Sequence, residues 1–249
     1  MFSDICLMAN IISISNFKGG VGKTTSTLNI GAQMAVLGHK VLLIDLDPQF
    51  NLTNSLTSLE SDCASTYTIL CKGAKPEPKQ VKENLFLIPS SLDLIRAEIE
   101  LTSKIHREYI LKKALKPLEK EFDFILIDCS PTLGNLTLNA YFASNQIFVP
   151  VESEFLSFGG YRVLESALSD IGIEIDNIFL TRYDSRKILN RTVKEAILSN
   201  PKAFKTIIRS NVALAEAPAQ RQSIFEYSPK SNGAKDYKKL THEILNING

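Results

Sequence analysis

The sequence lacks several patterns that would place it in a particular class of protein. Its four cysteines, Cys6, Cys63, Cys71 and Cys129, show no C-x-x-C spacing, which favours small buried side chains over a thiol-ligated metal site. No apolar run is long enough for a secretory or membrane-spanning segment, and no internal repeat or low-complexity tract is present. We therefore expect a protein of the reducing cytoplasm.

The length and composition are sufficient for one sizeable hydrophobic core. The chain has 249 residues, of which 44% are apolar, and α/β domains of this size often remain undivided. We predict a single domain over residues 1–249. Residues 1–7 are a possible dispensable extension, with Met8 as an alternative start.

A glycine-rich loop between a predicted strand and a predicted helix is the most informative stretch of the chain. An apolar run at residues 11–15 precedes it, and a helical pattern at residues 26–37 follows it. Glycines allow backbone N–H groups to approach phosphate oxygens, and the helix N-terminus favours their negative charge. The predicted nucleotide contacts are Gly19, Gly20, Val21, Gly22, Lys23, Thr24 and Thr25. Lys23 would reach the β- and γ-phosphates, and the Thr24 hydroxyl would coordinate Mg²⁺.

The loop departs from the strict G-x-x-x-x-G-K-[ST] pattern because Phe17 stands where the first glycine is required. With Lys18 beside it, the loop resembles the deviant class that contains the ParA and MinD ATPases, the nitrogenase iron protein and the bacterial tyrosine kinases. This resemblance implies that Lys18 reaches the phosphates of a partner subunit, so that ATP produces a sandwich homodimer.

Apolar runs alternate with helical patterns along the rest of the chain. This alternation predicts an α/β fold, with a mostly parallel twisted sheet and helices on both faces, in which ligands bind at the carboxyl ends of the strands. The polar segment 60–80, which contains Pro76 and Pro78, is predicted to be a surface excursion. The expected later strands are residues 40–45, 85–89, 124–128, 146–150, 177–181 and 205–209.

Three acidic residues follow two of these strands. Asp45 ends the run at residues 40–45 and Asp47 follows it two residues later, and Asp128 ends the run at residues 124–128. A carboxylate at such a strand end suits Mg²⁺ held through water, which is the role predicted for Asp128. The resemblance to ParA implies that Asp47 positions the attacking water, that Asp45 lies near Mg²⁺ and that Gln49 belongs to a first switch segment. Residues 129–134 resemble an altered second switch.

No Asn-Lys-x-Asp motif for reading guanine is present, which favours ATP over GTP. The resemblance implies that the adenine base lies near Arg182 and Tyr183, after the strand at residues 177–181, and near Ala217 and Pro218.

Charge is divided unevenly along the chain. Residues 1–177 carry 15 basic and 21 acidic side chains, a net charge of −6, whereas residues 178–249 carry 13 and 6, a net charge of +7. A basic C-terminal third suggests a polyanionic partner, but a solvated basic face without a partner explains the charge equally well.

The resemblance to the ParA branch runs nearly from end to end, through residues 45–49, 180–186, 211–218 and 231–237. It implies a cytoplasmic, nucleoid-associated ATPase with slow intrinsic turnover that segregates a plasmid or chromosome. Its expected partners are nonspecific DNA and a ParB-like centromere-binding protein. The candidate DNA contacts are Arg186, Lys187, Arg191, Lys194, Arg209, Arg221, Lys230, Lys235, Lys238 and Lys239. Ala213 stands where relatives often have an arginine, which puts part of this surface in doubt.

Three alternatives to this function remain open. One is a related ATPase that positions a protein compartment rather than DNA. Another is a MinD-like protein at a membrane, disfavoured because residues 240–247 carry little positive charge and a short apolar face. The third is a nucleotide-binding regulator without affinity for DNA.

Overall fold

The structure is a computed structural model that describes residues 8–58 and 64–248, without the side chains of residues 155–158 and 248. The predicted N-terminal extension (residues 1–7), Cys6 and Cys63 lie outside these residues. Cys71 and Cys129 are buried and unpaired, as expected for small apolar side chains. A single domain over the whole chain stays a prediction.

Eight strands form one sheet in the order β3-β4-β2-β5-β1-β6-β7-β8. Only the edge strand β3 runs antiparallel to its neighbour, so the predicted mostly parallel sheet is confirmed. All of the expected strands are present, within a few residues of their predicted ends. The bounds are β1 (Asn10–Ile14), β2 (Val41–Leu46), β3 (Lys79–Lys82), β4 (Leu85–Ile88), β5 (Phe124–Cys129), β6 (Gln146–Glu152), β7 (Asn177–Tyr183) and β8 (Ala203–Arg209).

The helices cover both faces of the sheet, as predicted. Helices α1, α2, α10 and α11 pack on the face that contains Ile12 and Leu43, and α3 to α8 pack on the face that contains Ile11 and Leu42. The alternation arises because neighbouring residues of a strand point to opposite faces. The bounds are α1 (Lys23–Val36), α2 (Asn51–Asn54), α3 (Thr66–Lys72), α4 (Leu94–Glu100), α5 (Ile110–Leu115), α6 (Asn135–Ala143), α7 (Phe155–Ser169), α8 (Ile188–Leu198), α9 (Ala213–Glu216), α10 (Ile224–Tyr227) and α11 (Asn232–Asn248).

The prediction of a surface excursion is wrong for part of residues 60–80. Helix α3 begins at a reciprocal capping box between Ser65 and Thr68. It buries Ile69 and Leu70 against the sheet, and β3 then starts at Lys79. The remaining residues of this segment that the structure describes carry no regular element.

The C-terminal helix α11 belongs to the core. Tyr237, Leu240 and Ile244 are buried on the same face of the sheet as α1. Among residues 8–58 and 64–248, no helix combines the length and apolar character needed to cross a bilayer.

Helix α1 lies close to the sheet at Gly31, and this contact tests the packing. An added Cβ would lie 2.6 Å from Cδ2 of Leu43 and 3.3 Å from Cδ1 of Leu126. Gly31→Ala is therefore expected to lower the free energy of unfolding by about 1–3 kcal/mol, despite the better helix propensity of alanine. Denaturant unfolding measures the effect.

Gly160, within α7, provides the matched control because no described atom lies within 4 Å of its added Cβ. Gly160→Ala should raise stability by up to about 1 kcal/mol. Equal stability changes in the two variants would contradict the close packing of α1 on the sheet.

Candidate active site at the carboxyl edge of the sheet

The loop between β1 and α1 turns through two glycines in the left-handed region, Gly20 (φ 78°) and Gly22 (φ 94°). Side chains rarely adopt such angles, so glycine is required at both positions for conformational reasons. Gly19 differs, because its φ is not in that region and no protein atom lies within 4 Å of an added Cβ. The protein's own packing therefore does not require a glycine at this position, whereas a ligand in close contact with the backbone would.

Two residues at the start of α1 connect the loop to the strand ends. Lys23 is buried, and its Nζ donates to the carbonyl oxygen of Lys18 at 3.1 Å. Burial lowers the pKa of Lys23, and the negative charges of Asp128 and Asp47 oppose that effect. The Thr24 hydroxyl donates to Oδ2 of Asp128 at 2.7 Å. The loop threonine thus contacts Asp128, and the loop lysine interacts electrostatically with Asp128 and Asp47.

Asp45 and Asp128 stand side by side because β2 and β5 pair in a register that matches them. Both side chains are fully buried. Burial raises the pKa of Asp45 to about 6, and burial together with the charge of Asp45 raises the pKa of Asp128 well above its usual value. Two buried carboxylates of the same charge create a strong requirement for donors or a cation.

The two carboxylates meet that requirement in different ways. Asp45 accepts hydrogen bonds at both oxygens, from the main-chain N–H of Asp47 (3.1 Å) and from the N–H and hydroxyl of Thr53 (2.8 and 2.7 Å). Oδ1 of Asp128, in contrast, is buried without a hydrogen-bond partner among the described residues. Hard oxygen donors of this kind suit Mg²⁺, so Thr24 and Asp128 fit a magnesium site. Asp45 forms an internal anchor, and its direct place near the metal stays a prediction.

A cleft of about 610 Å³ opens beside these residues. It is lined by the glycine loop, by Asp47 and Gln49, and by Pro218. An adjoining cavity of about 370 Å³ shares the loop and is lined by Arg182, Asn211 and Val212. The predicted base contacts Arg182 and Pro218 thus lie near the loop, whereas Tyr183 lines neither cavity and Ala217 is buried.

A larger cavity, of about 730 Å³, lies across α1 beside the Lys82–Glu226 ion pair. It contains none of the predicted site residues. The smaller cleft is the better candidate because the glycine loop, the buried Lys23 and Asp47 all line it.

Lys18 makes two ion pairs within its own subunit. Its Nζ lies 2.9 Å from Oε2 of Glu152 and 3.1 Å from Oε2 of Glu154. Burial acts to lower the pKa of Lys18, but the hydrogen bonds and charges of the two glutamates outweigh it, and the pKa is raised. Arg182 joins the group through Glu152 (3.4 Å) and the carbonyl oxygen of Gly20 (3.0 Å).

Sequence reasoning missed Glu152 and Glu154. Glu152 is the last residue of β6, so the rule that led to Asp45 and Asp128 also applies to it. The missed signal was the end of that strand, which was predicted two residues too early.

The candidate DNA contacts fall into two groups, and Lys194 belongs to neither. Arg209 binds Asp236 in a bidentate pair (2.9 and 2.6 Å), and Arg186 binds Asp184 (2.9 and 2.8 Å). These arginines already have carboxylate partners. The second group, whose side chains are exposed without a carboxylate within ion-pair distance among the described residues, is Lys187, Arg191, Arg221, Lys230, Lys235, Lys238 and Lys239. Lys194 is half-buried and lies over the ring of Tyr183.

Comparison with known proteins agrees with this geometry. A family model described as an AAA domain matches residues 9–181. The chromosome-partitioning ATPase Soj of Treponema pallidum is 38% identical over 253 residues, covering 97% of this chain and 99% of its own.

Two solved structures share the fold. A Borrelia burgdorferi protein described as a plasmid partition protein, bound to AMPPNP, has a TM-score of 0.84 and 25% identity, covering 96% of this chain and 99% of its own. The septum site-determining protein MinD of Pyrococcus horikoshii, complexed with Mg-ADP, has a TM-score of 0.81 and 25% identity, covering 97% and 98%.

The buried Asp128 carboxylate predicts a trade between stability and ligand binding. Asp128→Asn removes a desolvated charge next to Asp45, so the protein without added ligand should melt about 2–4 °C higher. The same change weakens the magnesium site, and the further rise in Tm on adding Mg²⁺ and ATP should be lost. Thermal unfolding with and without these ligands measures both effects.

Asp123→Asn is the control, because Asp123 accepts from the Lys40 N–H at the opposite end of β5 and lies outside the cleft. It should keep the Tm increase caused by ligand. A full ligand-induced increase in Asp128→Asn would remove Asp128 from the metal site.

Proposed function

The chain belongs to the Soj/ParA family of partitioning ATPases, and from this premise we propose that it hydrolyses ATP as a molecular switch that moves a DNA cargo. The observation that carries the proposal is that Lys23, Thr24 and Asp47 line one cleft with the glycine loop, while the buried Asp128 accepts a hydrogen bond from Thr24. The named relatives include proteins bound to AMPPNP and to Mg-ADP.

Different residues in and beside the cleft have different roles in phosphoryl transfer. The loop N–H groups and Lys23 bind the phosphates, and Asp47 orients the attacking water. Thr24 and Asp128 hold Mg²⁺, which neutralises charge on the phosphates when it is bound. The buried position of Lys23 strengthens its interaction with phosphate because little water screens it.

Dimerisation by ATP depends on the release of Lys18 from its own subunit. Lys18 is about one-third exposed, and ion pairs of such accessibility contribute only about 0–1 kcal/mol each. Exchange of Glu152 and Glu154 for the phosphates of a second subunit is therefore energetically accessible. Lys18 should prefer the phosphates of the second subunit over Glu152 and Glu154 only when the nucleotide bound there is a triphosphate.

Lys18→Gln is expected to separate binding from dimerisation. The loop and Lys23 remain, so the Kd for ATP should change less than about threefold, whereas ATP-dependent dimerisation should be lost. Light scattering after size exclusion, with a slowly hydrolysed ATP analogue, measures the oligomeric state. Lys72→Gln is the matched control, since Lys72 also pairs with a glutamate but lies away from the cleft. A stable dimer of Lys18→Gln would contradict the role of Lys18 in a second site.

We further propose that the ATP dimer binds nucleoid DNA without sequence preference and that a ParB-like partner stimulates hydrolysis to release it. The exposed cations of residues 178–249 support this proposal, since they neutralise phosphates and release counterions. A dimer doubles the surface, so that two weak contacts act as one. Slow turnover in the absence of the partner preserves the DNA-bound state.

Binding to a nonspecific DNA duplex, with ATP, ADP or no nucleotide and across a salt series, tests this function. Binding should require ATP. The logarithm of the binding constant should fall linearly with the logarithm of the salt concentration. Lys235→Ala should reduce the slope by about 0.9 for each phosphate contact it removes. Lys112→Ala, an exposed lysine of the acidic part, should leave the slope unchanged. Absence of binding in every nucleotide state would contradict DNA as the cargo.

The similarity to MinD keeps membrane positioning as the second candidate. Burial of Tyr237, Leu240 and Ile244 of α11 in the core argues against it, because these apolar side chains are then not available to lipid. Co-sedimentation with anionic vesicles in the presence of ATP would support the membrane role, and its absence together with DNA binding would exclude it.

A further inference from the structure

Thr53, in the short helix α2, occupies a position that the predicted roles do not explain. It is fully buried, and its hydroxyl donates to Oδ2 of Asp45 at 2.7 Å. The same oxygen of Thr53 accepts from the main-chain N–H of Ser90 at 3.0 Å. Its own N–H donates to Asp45 at 2.8 Å. One threonine therefore connects the end of β2 to the segment that follows β4.

This connection encloses Asp47. The N–H of Asp47 donates to Oδ1 of Asp45 at 3.1 Å, and its carbonyl oxygen accepts from the Ser90 hydroxyl at 2.8 Å. The main chain of Asp47 is thus held on both sides by residues that Thr53 itself contacts. Asp45, Thr53 and Ser90 form a closed buried network around it, here named the Asp47 clamp.

We propose that Thr53 is a positioning residue that fixes Asp47 through the Asp47 clamp and thereby sets the rate of ATP hydrolysis. The inference rests on the proposed function, since it takes Asp47 as the residue that orients the attacking water. Thr53 lines neither cavity of the candidate site and does not act on nucleotide directly.

The chemistry of the network favours an effect on geometry over an effect on affinity. Every polar atom of Thr53 has a partner, and removal of the hydroxyl leaves the buried Ser90 N–H without an acceptor and Asp45 with one donor fewer. The Asp47 main chain then gains freedom, while the glycine loop and Lys23 keep their contacts. Small displacements of a residue that orients a reactant produce large losses in rate.

Thr53→Val is the test variant, because valine keeps the shape of threonine and lacks its hydroxyl. We expect kcat to fall at least tenfold while the KM for ATP stays within about twofold. Thr53→Ser keeps the hydroxyl and should retain most of the turnover. Thr57→Val is the matched control, since Thr57 lies in the same segment and its hydroxyl bonds, among the described residues, only to the exposed carbonyl of Ser58.

Amide hydrogen exchange provides a readout that does not depend on hydrolysis. The amides of Asp47 and Ser90 should exchange at least tenfold faster in Thr53→Val than in the wild type, Thr53→Ser or Thr57→Val. Ser90→Ala, which deletes only the bond to the Asp47 carbonyl, gives a second arm if Thr53→Val folds poorly. It should also lower kcat at constant KM.

The outcomes distinguish the positioning role of Thr53 from the proposed ATPase activity. An unchanged kcat in a folded Thr53→Val protein, or unchanged exchange at Asp47, overturns the positioning role. A wild-type protein that binds ATP but does not hydrolyse it overturns the proposed ATPase, and in that case the exchange at Asp47 still decides whether Thr53 holds this residue in place.

Discussion

The structure depends on one pairing, the alignment of Asp45 on β2 with Asp128 on β5 at the carboxyl edge of the sheet. Two fully buried carboxylates in adjacent strands repel one another and lose their hydration. Folding places donors around Asp45 but leaves the Asp128 carboxylate with a single hydroxyl partner among residues 8–58 and 64–248. The two acids therefore differ: Asp45 connects segments of the chain, and Asp128 keeps one buried oxygen without a hydrogen-bond partner among the described residues.

The moving parts of the proposed switch are attached to these two acids. Thr24 ties the start of α1, and hence the glycine loop, to Asp128. Thr53 ties α2, and hence Asp47, to Asp45. The glycine loop and the segment that contains Asp47 are therefore held by two neighbouring residues, Asp128 and Asp45. A change in the charge of one acid shifts the pKa of the other, because their interaction is electrostatic and little water screens it.

The sequence predicted the central strands well, because strands buried on both faces are continuous apolar runs. It missed β3, whose polar KQVK lies at the sheet edge, and α3, which has only seven residues. Lys23 and Thr24 were predicted because they belong to a local motif that lies between a predicted strand and a predicted helix. Glu152 and Ser90 were not, since their partners are 134 and 37 or more residues away and become adjacent only through strand pairing. Thr53 was missed although Asp45 is only 8 residues away, because no sequence motif marks the short helix α2 in which it lies.

Several acidic side chains of residues 178–249 accept hydrogen bonds from the main chain. Asp236 accepts from both the main chain and the guanidinium of Arg209, and Glu243 accepts from the N–H groups of Lys205 and Thr206 on the edge strand β8. Glu226 caps α10 at Ser223. These carboxylates satisfy main-chain donors that would otherwise leave a sheet edge or a helix end unpaired. Three of the six acids of this region thus serve the fold, and most of its lysines remain exposed. The basic excess is then a property of the exposed face, which is the part of the molecule that a polyanion meets first.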